Sequence, residues 1–188
     1  FRADWFSPQA HGGLVLLALW PAALLYPASV PFGLGQVSER LEAGLVRLLA
    51  ETPFLAWVPL RADAAVPLSP LAEAFCIALG LLAPMLIGYA DLRSVGRRGV
   101  FLVLLFACAL GVSGLSSALT YGPSHAWSWI TPQAGLGMGL ALLLGSLVLT
   151  LPARLCHVGL LLSLAVSLSL LNRAPVSPYF AQSLQVWE

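Results

Sequence analysis

Long apolar runs separated by short polar links set the pattern of this chain. Five runs approach or reach the roughly 17–25 residues that a helix needs to cross a bilayer: residues 12–30, 70–90, 100–119, 134–151 and 155–171. Pro21 and Pro27 lie in the first run and Pro84 in the second. A proline inside a helix removes a backbone hydrogen bond, so a kink is expected near Pro21, with neighbouring helices satisfying the freed carbonyl. The link "LPARL" between the last two runs is short, which predicts an antiparallel hairpin.

The pattern changes between the first two runs. Over residues 34–51, Leu34, Val37, Leu41, Leu45 and Leu48 fall at helical spacing, interrupted by Glu39, Arg40, Glu42, Arg47 and Glu51. Such a segment is too charged to span. It is predicted to be a helix lying in the membrane interface, apolar side down, with a small cap packed on its own residues as the alternative. Thr52 and Pro53 end it, and "PFLAWVPLRADAAVPLSP" continues as an irregular proline-rich loop. At the other end of the chain, Arg173 marks the limit of the fifth run, where its side chain can snorkel to headgroups. Pro175 and Pro178 stop the helix, and Tyr179, Phe180 and Trp187 suit an interfacial tail over residues 172–188. The fold expected is an all-α membrane protein. It is a single domain over 1–188, a bundle of about five transmembrane helices plus one interfacial amphipathic helix.

Composition supports this reading. The chain is 59% hydrophobic and only 9% charged, and it contains no lysine; an ordinary soluble domain carries about 25% charged residues. The formal net charge of +1 leaves no basic surplus for nucleic acid. Residue 1 is Phe, and no basic segment with a cleavage site precedes the first apolar run, so the sequence reads as part of a longer chain. Arg93, Arg97 and Arg98 crowd one short link, whereas the arginines of the opposite side are spread over longer segments beside acids. The positive-inside rule weights short loops, which predicts a cytoplasmic 91–98 loop and periplasmic 33–68 and 121–133 segments in a bacterial inner membrane. Residues 121–133 hold no formal charge, and Tyr121, Trp127 and Trp129 suit an aromatic belt at the headgroup boundary, with Trp57 and Trp187 on the same side.

Candidate chemistry is sparse. "GVSG" at 111–114 resembles the serine motif of rhomboid proteases, and His157 lies two helices later. The two helices run in parallel, and at about 1.5 Å per residue Ser113 and His157 differ in depth by roughly 15 Å, whereas a nucleophile and its base meet within about 3 Å. No catalytic residue is therefore assigned. Small residues at helical spacing read instead as helix-packing faces: Gly111 and Gly114 with Ser113 and Ser117, Gly135 and Gly139 as a G-x-x-x-G pair, and Gly159, Ser163 and Ser167 as a ladder. Contacts within one bundle are the first reading of these faces and a homo-oligomer the second. Cys76, Cys108 and Cys156 form no C-x-x-C pair and read as packing residues. His11, His125 and His157 lack metal-ligand spacing, and no cofactor fingerprint is present, so neither metal nor cofactor is expected. Almost no ionisable residue lies in the middle of a run, which disfavours a pump or ion-coupled transporter. The candidate ligand-binding residues are Glu73, His125, Arg61 and Arg173. Glu73 follows a Ser69-Pro70 helix start, where the helix dipole favours an anion, so a dipole role competes with a substrate contact. His125, in the uncharged loop, could meet a lipid headgroup or a lipid-linked phosphate, assisted by either arginine.

Four stretches carry a family resemblance: "WFSPQA" at 5–10, "VPFGLGQV" at 30–37, "YGPSHAWSW" at 121–129 and "LLNRAPVSPYFAQSLQVWE" at 170–188. Together they resemble the C-terminal membrane region of long VanZ-like proteins of Gram-negative bacteria, over most of the chain. That resemblance implies a multi-span inner-membrane protein acting at the cell envelope, linked to teicoplanin tolerance, with the VanZ-like domain proper upstream as a partner. It implies no catalytic residues. The alternatives are an intramembrane enzyme or lipid-linked glycan handler with a site on the outer leaflet, and a scaffold subunit of an envelope polysaccharide system.

Overall fold

The computed structural model describes residues 6, 11–25, 44–49, 52 and 69–171. Among these, five α-helices have both ends described: α1 (His11–Leu24), α2 (Pro70–Asp91), α3 (Val95–Tyr121), α4 (Pro132–Leu147) and α5 (Ala153–Leu171). Short 3-10 turns cover Pro123–His125 and Val148–Thr150. An isolated antiparallel bridge joins Phe6 to Leu92, and no strand is present among the described residues. The chain is an all-α bundle of membrane type. Four segments are long and apolar enough to cross a membrane: Pro70–Asp91, Val95–Tyr121, Pro132–Thr150 and Ala153–Leu171. α1 has 14 residues, about 21 Å of helix against about 30 Å of hydrocarbon. The end of the predicted first run, residues 26–30, and the tail 172–188 lie outside the described residues. So does most of the predicted interfacial segment, of which residues 44–49 are helical and Thr52 donates its hydroxyl to the Leu49 carbonyl at 2.9 Å.

Local sequence sets the helix starts. Ser69 caps α2 by accepting from the Ala72 amide, with Pro70 in the first turn. Ser94 accepts from the Arg97 amide at 3.4 Å, and Thr131 from the Ala134 amide at 3.1 Å, ahead of α3 and α4. α3 stops at Gly122, whose φ of 90° only glycine adopts without strain, and whose amide closes on the Ala118 carbonyl.

α2 is the axis of the bundle. Within it 67% of the spanning window is buried, against 28% in α3 and 22% in each of α4 and α5. Ile77, Leu81, Met85 and Tyr89 on α2 are fully buried. The packing pairs fix direction. Gly137 of α4 meets α2 at Ala74 and Ile77, and Gly145 meets it at Met85, so α4 runs parallel to α2. Gly159 of α5 lies against Leu86 while the Ser163 hydroxyl donates to the Leu79 carbonyl at 3.0 Å, so α5 runs antiparallel to α2. α1 lies against Asp91 and Ile87 at Gly13 and receives a hydrogen bond from Ser116 on its Leu25 carbonyl, 3.1 Å long, near the other end. The predicted antiparallel hairpin of α4 and α5 is present, joined by Leu151 and Pro152 after the second 3-10 turn, but each helix packs chiefly on α2 rather than on the other. The short link carries the chain past one end of α2, and glycine and serine on both neighbours let α2 approach them more closely than they approach each other.

Candidate functional site

The packing residues explain which polar groups are left for function. On α4 the residues facing α2 are Ala134, Gly137, Ala141 and Gly145, all buried. A Cβ on Gly137 would stand 2.6 Å from the Ala74 carbonyl oxygen, and one on Gly145 2.6 Å from the Met85 sulfur. Gly135 and Gly139, the predicted packing pair, are exposed, and a Cβ on either would meet nothing within 4 Å. Gly111 on α3 is likewise open. Gly114 is buried, but the nearest group to a Cβ there would be the Trp127 ring, at 3.5 Å, rather than another helix. On α5, Gly159 touches Leu86, and Ser163 and Ser167 are buried. Cys76 and Cys156 are buried and Cys108 half-buried, all as free thiols.

At the end where α2 begins and α3 finishes lie two of the four candidate ligand-binding residues. Glu73 is half-buried in the first turn of α2, its own amide bonded to the Ser69 carbonyl at 3.0 Å. The N-terminal end of the helix dipole faces it there, and its carboxylate acts electrostatically on Cys76 one turn on. His125 is exposed at the end of the 3-10 turn, with Nδ1 3.0 Å from the Ser124 hydroxyl. Its carbonyl accepts from both Ser117 and Ser128, at 2.8 Å each. Among the described residues no hydrogen bond or ion pair joins Glu73 to His125. Arg61 and Arg173 lie outside the described residues.

The opposite end holds a buried polar group that the sequence reading counted only as a loop charge. Arg98 is 8% exposed, and its Nη1 donates to the carbonyls of Leu149 and Leu151, each at 2.7 Å. Those carbonyls belong to the C-terminal end of the α4 segment, where unpaired acceptors and the negative end of the dipole favour a cation. The guanidinium also stands over the Tyr89 ring, 5.8 Å from its centroid, and Tyr89 packs edge-on to Phe101. Among the described residues, the Tyr89 hydroxyl and Arg98 Nε are buried without a hydrogen-bond partner. Nearby, Asp91 lies against Gly13 and within electrostatic reach of His157. A signal for Arg98 was present in the sequence. With α3 starting at Ser94, Arg98 shares a face with Leu102, Leu105 and Ala109, all buried, whereas Arg93 is exposed.

Ser113 and His157 do not meet. Gly114, beside Ser113, lies at the Trp127 end of the bundle, and His157 lies at the Asp91 end. Among the described residues no three of His, Cys, Asp and Glu gather as a metal site. No family model, no curated protein and no solved structure matches the chain.

Proposed function

We propose that the chain is a multi-span inner-membrane protein of VanZ-like type that acts at the cell envelope without catalysis of its own. The observation that carries this reading is where its membrane-depth polar groups point. Ser163 binds the Leu79 carbonyl, Ser116 the Leu25 carbonyl, and Arg98 the Leu149 and Leu151 carbonyls. Each ties one helix to another segment, which is the use expected of scarce polar groups in a structural bundle. The four sequence stretches that resemble VanZ-like proteins supply the family part of the proposal. In this reading the link between α2 and α3, with the start of α3, faces the cytoplasm, and the Glu73 and His125 end faces the periplasm.

The second reading, a lipid-linked glycan handler, draws on the placing of Glu73 and His125 at one end of the bundle. Expression of the chain in a teicoplanin-sensitive bacterial host tests the first. The expected result is a raised inhibitory concentration relative to an empty vector, unchanged by Glu73→Gln or His125→Ala. An unchanged concentration, with the protein present in the membrane fraction, counts against the VanZ-like reading. Loss of the effect in both variants moves the case to the second reading.

A further inference from the structure

The segment between α3 and α4 reads from sequence as a polar loop outside the membrane, and its geometry says otherwise. α3 has 27 residues, about 40 Å of helix, whereas the hydrocarbon core is about 30 Å thick. Arg98 is the last charged residue before the apolar stretch of α3. Gly114 stands about 24 Å beyond it along the axis, inside a core about 30 Å thick, and Tyr121 about 34 Å beyond it, outside that core. The chain then turns back. The Trp127 ring covers Gly114, where a Cβ would stand 3.5 Å from it, some 10 Å below the end of the helix at the usual rise per residue.

Backbone hydrogen bonding supplies a second, independent observation. Non-helical backbone tolerates membrane depth only where its polar groups are satisfied within the protein. The His125 amide bonds to Gly122, Ser128 to His125, Ile130 to Trp127 and Thr131 to Trp129, at 3.0–3.1 Å. The His125 carbonyl takes the hydroxyls of Ser117 and Ser128. The same segment carries no formal charge, and Trp127 is 59% exposed on its outer side.

We propose that residues 122–130 form a membrane-inserted lip, which folds back along α3 and holds the Trp127 indole just inside the hydrocarbon edge against lipid. Gly114 is the seat of that ring. A Cβ there would already touch the indole at ordinary contact distance, so a side chain that extends beyond Cβ would lift the ring away from α3, and this gives the buried glycine a role distinct from helix–helix packing. The lip holds for either orientation of the bundle, and it does not depend on the envelope activity proposed above.

The test is tryptophan quenching in phosphatidylcholine vesicles, with the Trp127→Phe protein subtracted so that only Trp127 reports. Bromines placed near the glycerol end of the acyl chain are expected to quench the difference signal more than bromines near the chain middle. Iodide in the buffer is expected to quench it little. Gly114→Leu is expected to reverse the pattern, with bromine quenching lost and iodide quenching gained. The three atoms nearest to a Cβ at Gly114 all belong to Trp127 and Ala126, so added bulk there falls first on the lip. Ser117→Ala, which removes a hydroxyl from the His125 carbonyl without adding bulk, is the second variant and shifts quenching the same way. Iodide quenching of the wild type as strong as that of tryptophan in buffer, with bromines ineffective, would overturn the lip. An unchanged pattern in both variants would overturn the seat.

Discussion

Replacing Gly137 by alanine adds a single methyl group at the closest approach of α4 to α2. The new carbon would lie 2.6 Å from the Ala74 carbonyl oxygen and 2.7 Å from Ile77 Cβ. Comfortable contact between carbon atoms is about 3.5–4.0 Å, so the helices must part by roughly 1 Å at this point, and a gap of that size forfeits a quarter to a half of each contact around it. The obstacle is partly backbone, which cannot rotate aside. Overpacking of this kind costs about 1–3 kcal/mol, and the upper end applies here. Alanine returns up to about 1 kcal/mol through its better helix propensity, leaving a net loss of about 2 kcal/mol. Gly135→Ala and Gly139→Ala gain the same propensity with nothing within 4 Å to collide with, so they are expected to be neutral or up to about 1 kcal/mol more stable. The assay is reversible unfolding in mixed micelles of denaturing and mild detergent, followed by far-ultraviolet circular dichroism. The reasoning fails if Gly137→Ala matches Gly135→Ala, or if Gly139→Ala loses as much as Gly137→Ala.

Arg98→Ala removes both donors to the Leu149 and Leu151 carbonyls and is expected to cost about 2–4 kcal/mol in the same titration. Arg98→Lys, a point charge without the planar fork, recovers only part of that. Ser163→Ala loses the bond to the Leu79 carbonyl and is expected to cost about 0.6–1.7 kcal/mol. Ser163→Leu, at a site 3% exposed, is expected to cost more than Ser163→Ala, because overpacking adds about 1–3 kcal/mol. For orientation, Val95→Cys and Thr120→Cys, both at exposed positions outside the lip, are expected to react with an impermeant maleimide from opposite compartments, measured against the wild-type background. Labelling of Thr120→Cys only from the cytoplasm would reverse the orientation proposed.

Hydropathy placed the spanning helices closely and their faces poorly. The run 70–90 became α2 almost residue for residue, because Ser69 and Pro70 mark its start in the sequence. α3 begins at Val95 rather than near residue 100, since Ser94 caps a turn that takes in Arg97 and Arg98. A helix that is apolar all round carries no stripe to say which side meets protein and which meets lipid. For that reason G-x-x-x-G spacing drew attention to Gly135 and Gly139, while the residues in contact are Gly137 and Gly145. The ladder Gly159, Ser163, Ser167 was readable because those small residues stand out among bulky leucines on one face of α5. The neighbour relations of α4 and α5 were not readable, since a short link constrains their ends and not what lies between them. Glu73 and His125 were placed at the same end by span alternation, but the pairing of Arg98 with Leu149 and Leu151 crosses more than fifty residues of sequence and leaves no local trace.

The grip of α4 and α5 on α2 has a consequence for biogenesis. α2 is synthesised before either of them, and about 80 residues separate its end from the end of α5, so at about 5–20 residues per second it waits roughly 4–16 s for its second flank. During that interval the surface that later accepts Ser163 faces lipid or the insertion machinery. A nascent chain halted after α3 therefore still displays that surface, and the arrival of the last two helices conceals it.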